Sequence, residues 1–237
     1  PGSYSLAESV GPIGYAASQW SCVKNAAPAV LGDSITLADG DNATCTITND
    51  DLDTIACTAQ VSYADAVISS DIGVRKNGSA INADRTDPTD ALGAPQSTGT
   101  PFDSPVVAGS FFSLGFDEGT DATPIEGGKI VLSFNNNYII NGPGNDLRAW
   151  EVTGGTSYPV EKIKVEVSQD GTNWFTAAPV LLRDEEADLT TAGLAWAKFV
   201  RITDISTRSD AGYPFDADGY DLDAVSALNC AQLPLVQ

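Results

Sequence analysis

Two acidic runs are where this chain could do chemistry. One is Asp84-Arg-Thr-Asp-Pro-Thr-Asp90 and the other is Asp216-Ala-Asp-Gly-Tyr-Asp-Leu-Asp223. Carboxylates this dense repel one another unless water separates them or they share a cation. Calcium draws about six to eight oxygens from carboxylates and carbonyls, so it is the ion such runs would hold. The spacing is not that of an EF-hand loop, which alternates its acids and closes on Glu. A strand beginning at Asp221 places Asp221 and Asp223 on one face and Leu222 and Ala224 on the other. The competing reading is turn capping, in which an Asp bonds its own backbone and needs no metal. Asp146, after Gly142-Pro-Gly-Asn and close to Glu151, is open to the same two readings. Asp117, Glu118 and Asp121 lie in a Gly/Thr-rich loop and read as solvated.

Other chemistries are poorly supplied. The chain has no His, so a Ser-His-Asp triad cannot be built. No Cys-x-x-Cys occurs either, which leaves zinc and redox sites without ligands. Two carboxylates can hydrolyse a glycoside, but acids are so numerous that no pair stands out. The chain is therefore read as a non-enzyme. Net charge is −20, from 12 Lys plus Arg against 32 Asp plus Glu. That balance excludes a nucleic-acid partner, which needs a basic face. It disfavours an anionic membrane surface for the same reason, and no apolar run has the length for membrane insertion. Stacking platforms for a glycan are available in Trp150, Trp174, Trp196, Tyr213 and Tyr220. Trp150 and Trp196 sit in strand patterns and read as core, and Trp174 as packed across a hairpin. Tyr213-Pro-Phe215 reads as an exposed aromatic patch and the place for glycan contact.

The elements that must position these residues are strands. In Ile163-Lys-Val-Glu-Val-Ser168 the residues Ile163, Val165 and Val167 face one way, and Lys164, Glu166 and Ser168 the other. Ser168-Gln-Asp-Gly-Thr-Asn-Trp174 carries the Asp-Gly turn signal of a hairpin. Only Asp184 to Ala192 suits a short helix. Many short strands between Gly, Pro and Asp turns imply an all-β chain built of β-sandwiches. Residues 1–51 read as about four short strands, 55–230 as a second module, and 231–237 as a tail or linker. Four cysteines allow three pairings. Cys22 with Cys45 lies within the first module, and Cys57 with Cys230 ties the first strand of the second module to its last. Both bonds suit an oxidising, extracellular setting. With no Met, the chain is expected to be a processed product or a piece.

The first module resembles the prealbumin-like repeats of bacterial surface proteins. The resemblance rests on Pro1-Gly-Ser-Tyr-Ser-Leu-Ala-Glu-Ser9, Trp20-Ser-Cys22, Ile35-Thr-Leu37 and Asp41-Asn-Ala-Thr-Cys-Thr-Ile-Thr-Asn-Asp-Asp51, and covers the C-terminal half of such a repeat. The second module resembles a secreted discoidin-like (galactose-binding-like) jelly-roll module. Here the matching stretches are Asp87-Pro-Thr-Asp-Ala-Leu-Gly-Ala-Pro95, Gly142-Pro-Gly-Asn-Asp-Leu147, Val165-Glu-Val-Ser-Gln-Asp-Gly171 and Gly219-Tyr-Asp-Leu-Asp-Ala-Val225. This second resemblance implies a structural calcium joining Asp87 and Asp90, with the Leu92 carbonyl, to Asp221 or Asp223, and Asp146 is carried as a further ligand.

The expectation is an extracellular, cell-surface, calcium-stabilised structural or adhesive protein. It would be a subunit of a fibre or filament that self-associates into a polymer by strand addition, because a half-domain leaves an open sheet edge. The alternative is a carbohydrate-binding module of a larger secreted adhesin.

Overall fold

Apolar residues at every second position turn most of this chain into strands. The computed structural model describes residues 1–8, 15–51, 55–56, 62–96, 109–119, 125–135, 137–152 and 158–232. The chain divides near residue 54 into two compact units.

The first unit contains β1 (Gly2–Ser5), β2 (Tyr15–Ala17), β3 (Ser21–Lys24), β4 (Val30–Leu31), β5 (Ser34–Leu37), β6 (Ala43–Thr46) and β7 (Asn49–Asp51). These strands outnumber the four or so expected, because strands of two to four residues are too short for alternation to reveal. They pair antiparallel as β1–β5, β2–β7 and β4–β3–β6. Cys22 and Cys45 stand opposite one another on β3 and β6 and form a disulfide. Cys22 is the one buried hydrophobic residue among those described in this unit, while Val30 and Leu31 on the edge strand β4 are exposed. With so little core, the cross-link dominates. A bond spanning 23 residues is worth roughly 3 kcal/mol by loop-closure entropy. The double variant Cys22→Ala, Cys45→Ala is expected to speed amide exchange across β3 and β6 and leave the second unit's strands unchanged.

The second unit contains β8 (Ile55–Ala56), β9 (Ser62–Tyr63), β10 (Ala66–Asp71), β11 (Phe112–Ser113), β12 (Lys129–Ser133), β13 (Tyr138–Ile140) and β14 (Leu147–Glu151). It continues with β15 (Lys162–Ser168), β16 (Phe175–Leu182), β17 (Glu186–Ala187), β18 (Trp196–Ala197), β19 (Phe199–Asp204), β20 (Asp221–Ala227) and β21 (Cys230–Gln232). One sheet runs β10-β12-β19-β15-β16. A second runs β11-β20-β14-β17, with β9 also on β20, and a smaller sheet runs β18-β13-β21-β8. The inner faces of the two large sheets share one core: Ile163, Val165, Val167, Val200 and Ile202 from the first meet Leu147, Ala149, Leu222 and Val225 from the second. This is a β-sandwich, the all-β class the alternation implies. Asp170 closes the β15–β16 hairpin by accepting from the backbone N–H groups of Thr172 and Asn173, both at 2.8 Å. The helix is a single turn, α1 (Leu189–Ala192), capped by Asp188 and by Gly193 at φ +68°. Two 3₁₀ turns, Ala83–Arg85 and Pro88–Ala91, fall where no helix is expected. Cys230 is disulfide-bonded. Cys57 lies outside the described residues.

Two aromatic expectations are corrected. Along β14 the buried residues are Leu147, Ala149 and Glu151, so Arg148 and Trp150 take the outer face. Trp150 is half-buried, with the Arg148 guanidinium 3.9 Å from its ring and its Nε1–H donated to Ser226 Oγ at 2.9 Å. Trp196 is likewise half-buried, edge-on to Tyr138 at 5.2 Å. Both cover the sandwich rather than fill it.

Candidate functional site

Four strand ends meet at one end of the sandwich. Register places Ile163, near the start of β15, opposite Asp204 at the end of β19. It also places Glu151, at the end of β14, opposite Leu222 near the start of β20. Antiparallel pairing thus delivers Glu151, Glu161, Asp204 and Asp221 to the same end from both sheets. The loop into β20 adds Asp218, and the first 3₁₀ turn adds Arg85. Over them lies a cleft of about 360 Å³, its rim carrying Arg75, Asn82, Pro214 and Asp216 and its deeper wall Glu161 and Asp221. Gly219 makes the turn into this site possible. It sits at φ +76°, and a Cβ there would collide with Asp204 Oδ2, which accepts the neighbouring Tyr220 N–H at 2.7 Å.

The early loop and the final strand do meet, as the discoidin-like resemblance implies, but a guanidinium joins them. Arg85 Nη1 lies 2.9 Å from Asp218 Oδ2 and 3.9 Å from Asp221 Oδ2. Asp221 also accepts the Ser113 hydroxyl. Asp87 is exposed and caps the second 3₁₀ turn, its Oδ1 accepting from Thr89 N at 2.9 Å and Thr89 Oγ1 at 2.7 Å. Asp90 is half-buried on that turn. Burial, then the neighbouring Asp87, raises its pKa. Asp146 is fully buried elsewhere and its oxygens are occupied. Gly142 N and Asn229 Nδ2 reach Oδ1, and Leu189 N reaches Oδ2, each at 2.8 Å. A β-bulge on β20 lies between Leu222, opposite Glu151, and Ala224, opposite Trp150. The extra residue is Asp223, so the simple alternation that would put Asp221 and Asp223 on one face is lost. Asp221 lines the cleft, and Asp223 is buried away from it. Among the described residues, no group of three or more His, Cys, Asp or Glu side chains is arranged to hold a metal ion. The five predicted ligands therefore do not form one site.

The residues that sequence reasoning passed over are Glu161 and Arg85, with Glu151 noted only as a neighbour of Asp146. Glu161 is 1% exposed, and among the described residues no N–H or alcohol hydroxyl donates a hydrogen bond to its Oε1 or to either oxygen of Glu151. Arg183 Nε forms an ion pair with Glu151 at 3.2 Å. The two glutamates lie within hydrogen-bond reach of each other, a contact that requires one of them to hold a proton. Burial pushes the Glu151 carboxyl up to about 7. Burial, and then the Glu151 charge, drive Glu161 well above the usual range. Burial raises Asp204 to about 6 against two backbone donors, and raises Asp221 with Asp218 adding to the effect. No signal in the sequence marks Glu161, because Pro-Val-Glu-Lys looks like an ordinary solvated strand entry.

The aromatic patch is corrected in half. Tyr213 is 6% exposed, edge-on to Phe116 at 5.2 Å, and donates its hydroxyl to Val160 O at 3.0 Å. Phe116 and Ala217 enclose it in a small second core. Phe215 is 77% exposed and stands between the rim residues Pro214 and Asp216.

Residues 1–47 match the family model of the prealbumin-like fold domain. No curated protein matches the chain. Among solved structures, the C-terminal domain of a chitobiase from Bacteroides fragilis is 12% identical with a TM-score of 0.37, over 69% of this chain and 92% of that one. An F5/8 type C domain from the same organism is 14% identical with a TM-score of 0.39, over 74% of this chain and 99% of that one. Discoidin II from Dictyostelium discoideum is 11% identical with a TM-score of 0.34, over 74% and 58%. At this level the likeness fixes neither substrate nor partner. What the chain itself establishes is a region similar to the prealbumin-like fold domain followed by a β-sandwich unit with an acid-floored cleft.

Proposed function

We propose that this chain is an extracellular carbohydrate-binding module, non-catalytic, with the sugar docked on the rim of the cleft. The observation that carries this reading is Phe215, a nearly free aromatic ring set between two rim residues of a polar cleft. A sugar ring offers an apolar face to such a platform and hydroxyls to its surroundings. Arg75 and Arg85 each keep a buried Nε–H without a hydrogen-bond partner, and exposed Asn82 and Asp216 add donors and an acceptor at the rim. The Cys22–Cys45 disulfide supports a setting outside the reducing cytosol. Among the described residues no helix is long and apolar enough to cross a membrane. The order of the two original expectations is thus reversed.

The test is a glycan array followed by titration of any hit. Wild type is expected to bind, and Phe215→Ala to lose at least tenfold in affinity with its melting temperature unchanged, since the ring supports no core. Absence of binding to every glycan, or an indifferent Phe215→Ala, sinks the reading. One observation favours self-association as a second reading: the exposed apolar pair Val30 and Leu31 on edge strand β4. Sedimentation at rising concentration tests it, and a monomer throughout removes it.

A further inference from the structure

Glu151 and Glu161 are buried against each other, and Arg183 Nε lies 3.2 Å from Glu151. Contact between two carboxyl groups holds only while they share a proton. Most other groups facing the pair are acids or phenols. Asp184 comes from the turn before β17, Asp204 from the end of β19 and Asp221 from the start of β20, with Tyr158, Tyr213 and Tyr220 around them. The remaining cations act on other acids: Arg148 lies 4.0 Å from Asp184, Arg85 holds Asp218 and Asp221, and Arg75 acts on Asp218. Loss of the shared proton therefore leaves two buried charges with one guanidinium beside them, which is costly. Glu161 lines the cleft, so the cleft is where a charged Glu161 reaches water.

Glu161 ends a segment, residues 158–161, that leads into β15. Side chains hold this segment. Arg183 Nη2 donates to Pro159 O at 2.7 Å, so one guanidinium serves both Glu151 and the segment. The Tyr213 hydroxyl donates to Val160 O at 3.0 Å, and the Tyr158 and Tyr213 rings meet edge-on at 6.1 Å. Tyr213 stands two residues before Phe215, the exposed ring on the cleft rim. A contiguous path thus runs from the carboxyl pair through Val160 and Tyr213 to the sugar platform. We propose that residues 158–161 are a pH-operated strap: the shared proton holds Glu161 on Glu151 and keeps Tyr213 and Phe215 in place, and its loss turns Glu161 into the cleft, shifts Phe215 and weakens glycan binding. The effect on affinity rests on the carbohydrate-binding reading, and the shift of Phe215 does not. Burial raises the Glu151 carboxyl to about 7, which sets the change near neutrality and favours the held state in acid.

The experiment follows backbone amide resonances of the whole chain from pH 5.5 to 8.5, with the glycan array repeated at both ends and its tightest oligosaccharide at pH 5.5 used as the binding probe. In wild type the Val160 and Phe215 amides should titrate together at about pH 7, and affinity should fall by roughly fivefold or more as pH rises. Glu161→Gln keeps the contact, its amide donating to Glu151, and has no proton to lose. Its Phe215 amide should be flat, and its affinity at pH 8.5 should match wild type at pH 5.5. Tyr213→Phe breaks the link alone, so Val160 should still titrate and Phe215 should not follow. Should Glu161→Gln fail to fold, Tyr213→Phe and the wild-type titration carry the test. The strap is overturned by a wild-type Phe215 indifferent to pH, by a titration that survives in Glu161→Gln, which would assign it to Asp204, or by a Phe215 that still follows in Tyr213→Phe. An array silent at both pH values removes the sugar reading instead, and the Phe215 titration still decides the strap.

Discussion

Asp146→Ala is expected to cost about 3–5 kcal/mol, enough to lower the melting temperature by roughly 6–20 °C. The side chain is fully buried and receives N–H groups from Gly142, Leu189 and Asn229. Truncation strands three donors and opens a cavity at the junction of β14 with α1. Asp146→Asn should also destabilise, because one amide N–H₂ must then face an N–H on whichever side it is placed. The loss should be the same in chelator and in calcium. A loss seen only with calcium present would return Asp146 to the role of metal ligand and break the structural account.

The second large effect is in the pH profile without divalent cations. Glu151 is raised from 4.5 to about 7 and Asp204 from 3.8 to about 6, both first by burial, so between those values the folded chain binds more protons than the unfolded. Stability then falls as pH rises through that window. The Glu151 shift alone corresponds to something on the order of 3 kcal/mol. The melting temperature in chelator should therefore be several degrees higher near pH 5 than at pH 8. Below pH 4 the trend reverses. Backbone N–H groups of Asn173 and Thr172 hold the Asp170 carboxyl far below its usual value, and the Thr89 side chain lowers Asp87. Stability from these groups is present above their unfolded pKa and is lost as pH falls. A flat profile between pH 5 and 8 in chelator would contradict the buried-acid account.

Much of the fold is legible before any coordinates. The alternation in Ile163 to Val167 and the Asp-Gly turn after Ser168 specify a hairpin with one buried face, and β15 and β16 are that hairpin. Strand identity is a local property, since side-chain direction repeats every two residues. The alternation breaks down at Asp223, because a bulge inserts one residue that periodicity cannot anticipate. It also fails for Trp150, where a large aromatic ring takes the outer face beside Arg148.

The sequence by itself determined that the chain is all-β, acidic, free of histidine and stapled by cysteine, because composition and two-residue periodicity carry those facts locally. Which carboxylates matter was decided only by tertiary structure. Asp87, Asp146 and Glu161 look alike in a string of letters. Pairing of β14 with β20 and of β15 with β19 buries Glu151 and Glu161 against each other, surrounds Asp146 with N–H groups, and leaves Asp87 in water. The difference among these acids lies in solvation and partners, and both are set by residues far apart in the chain, such as Asn229 bonded to Asp146 across 83 positions.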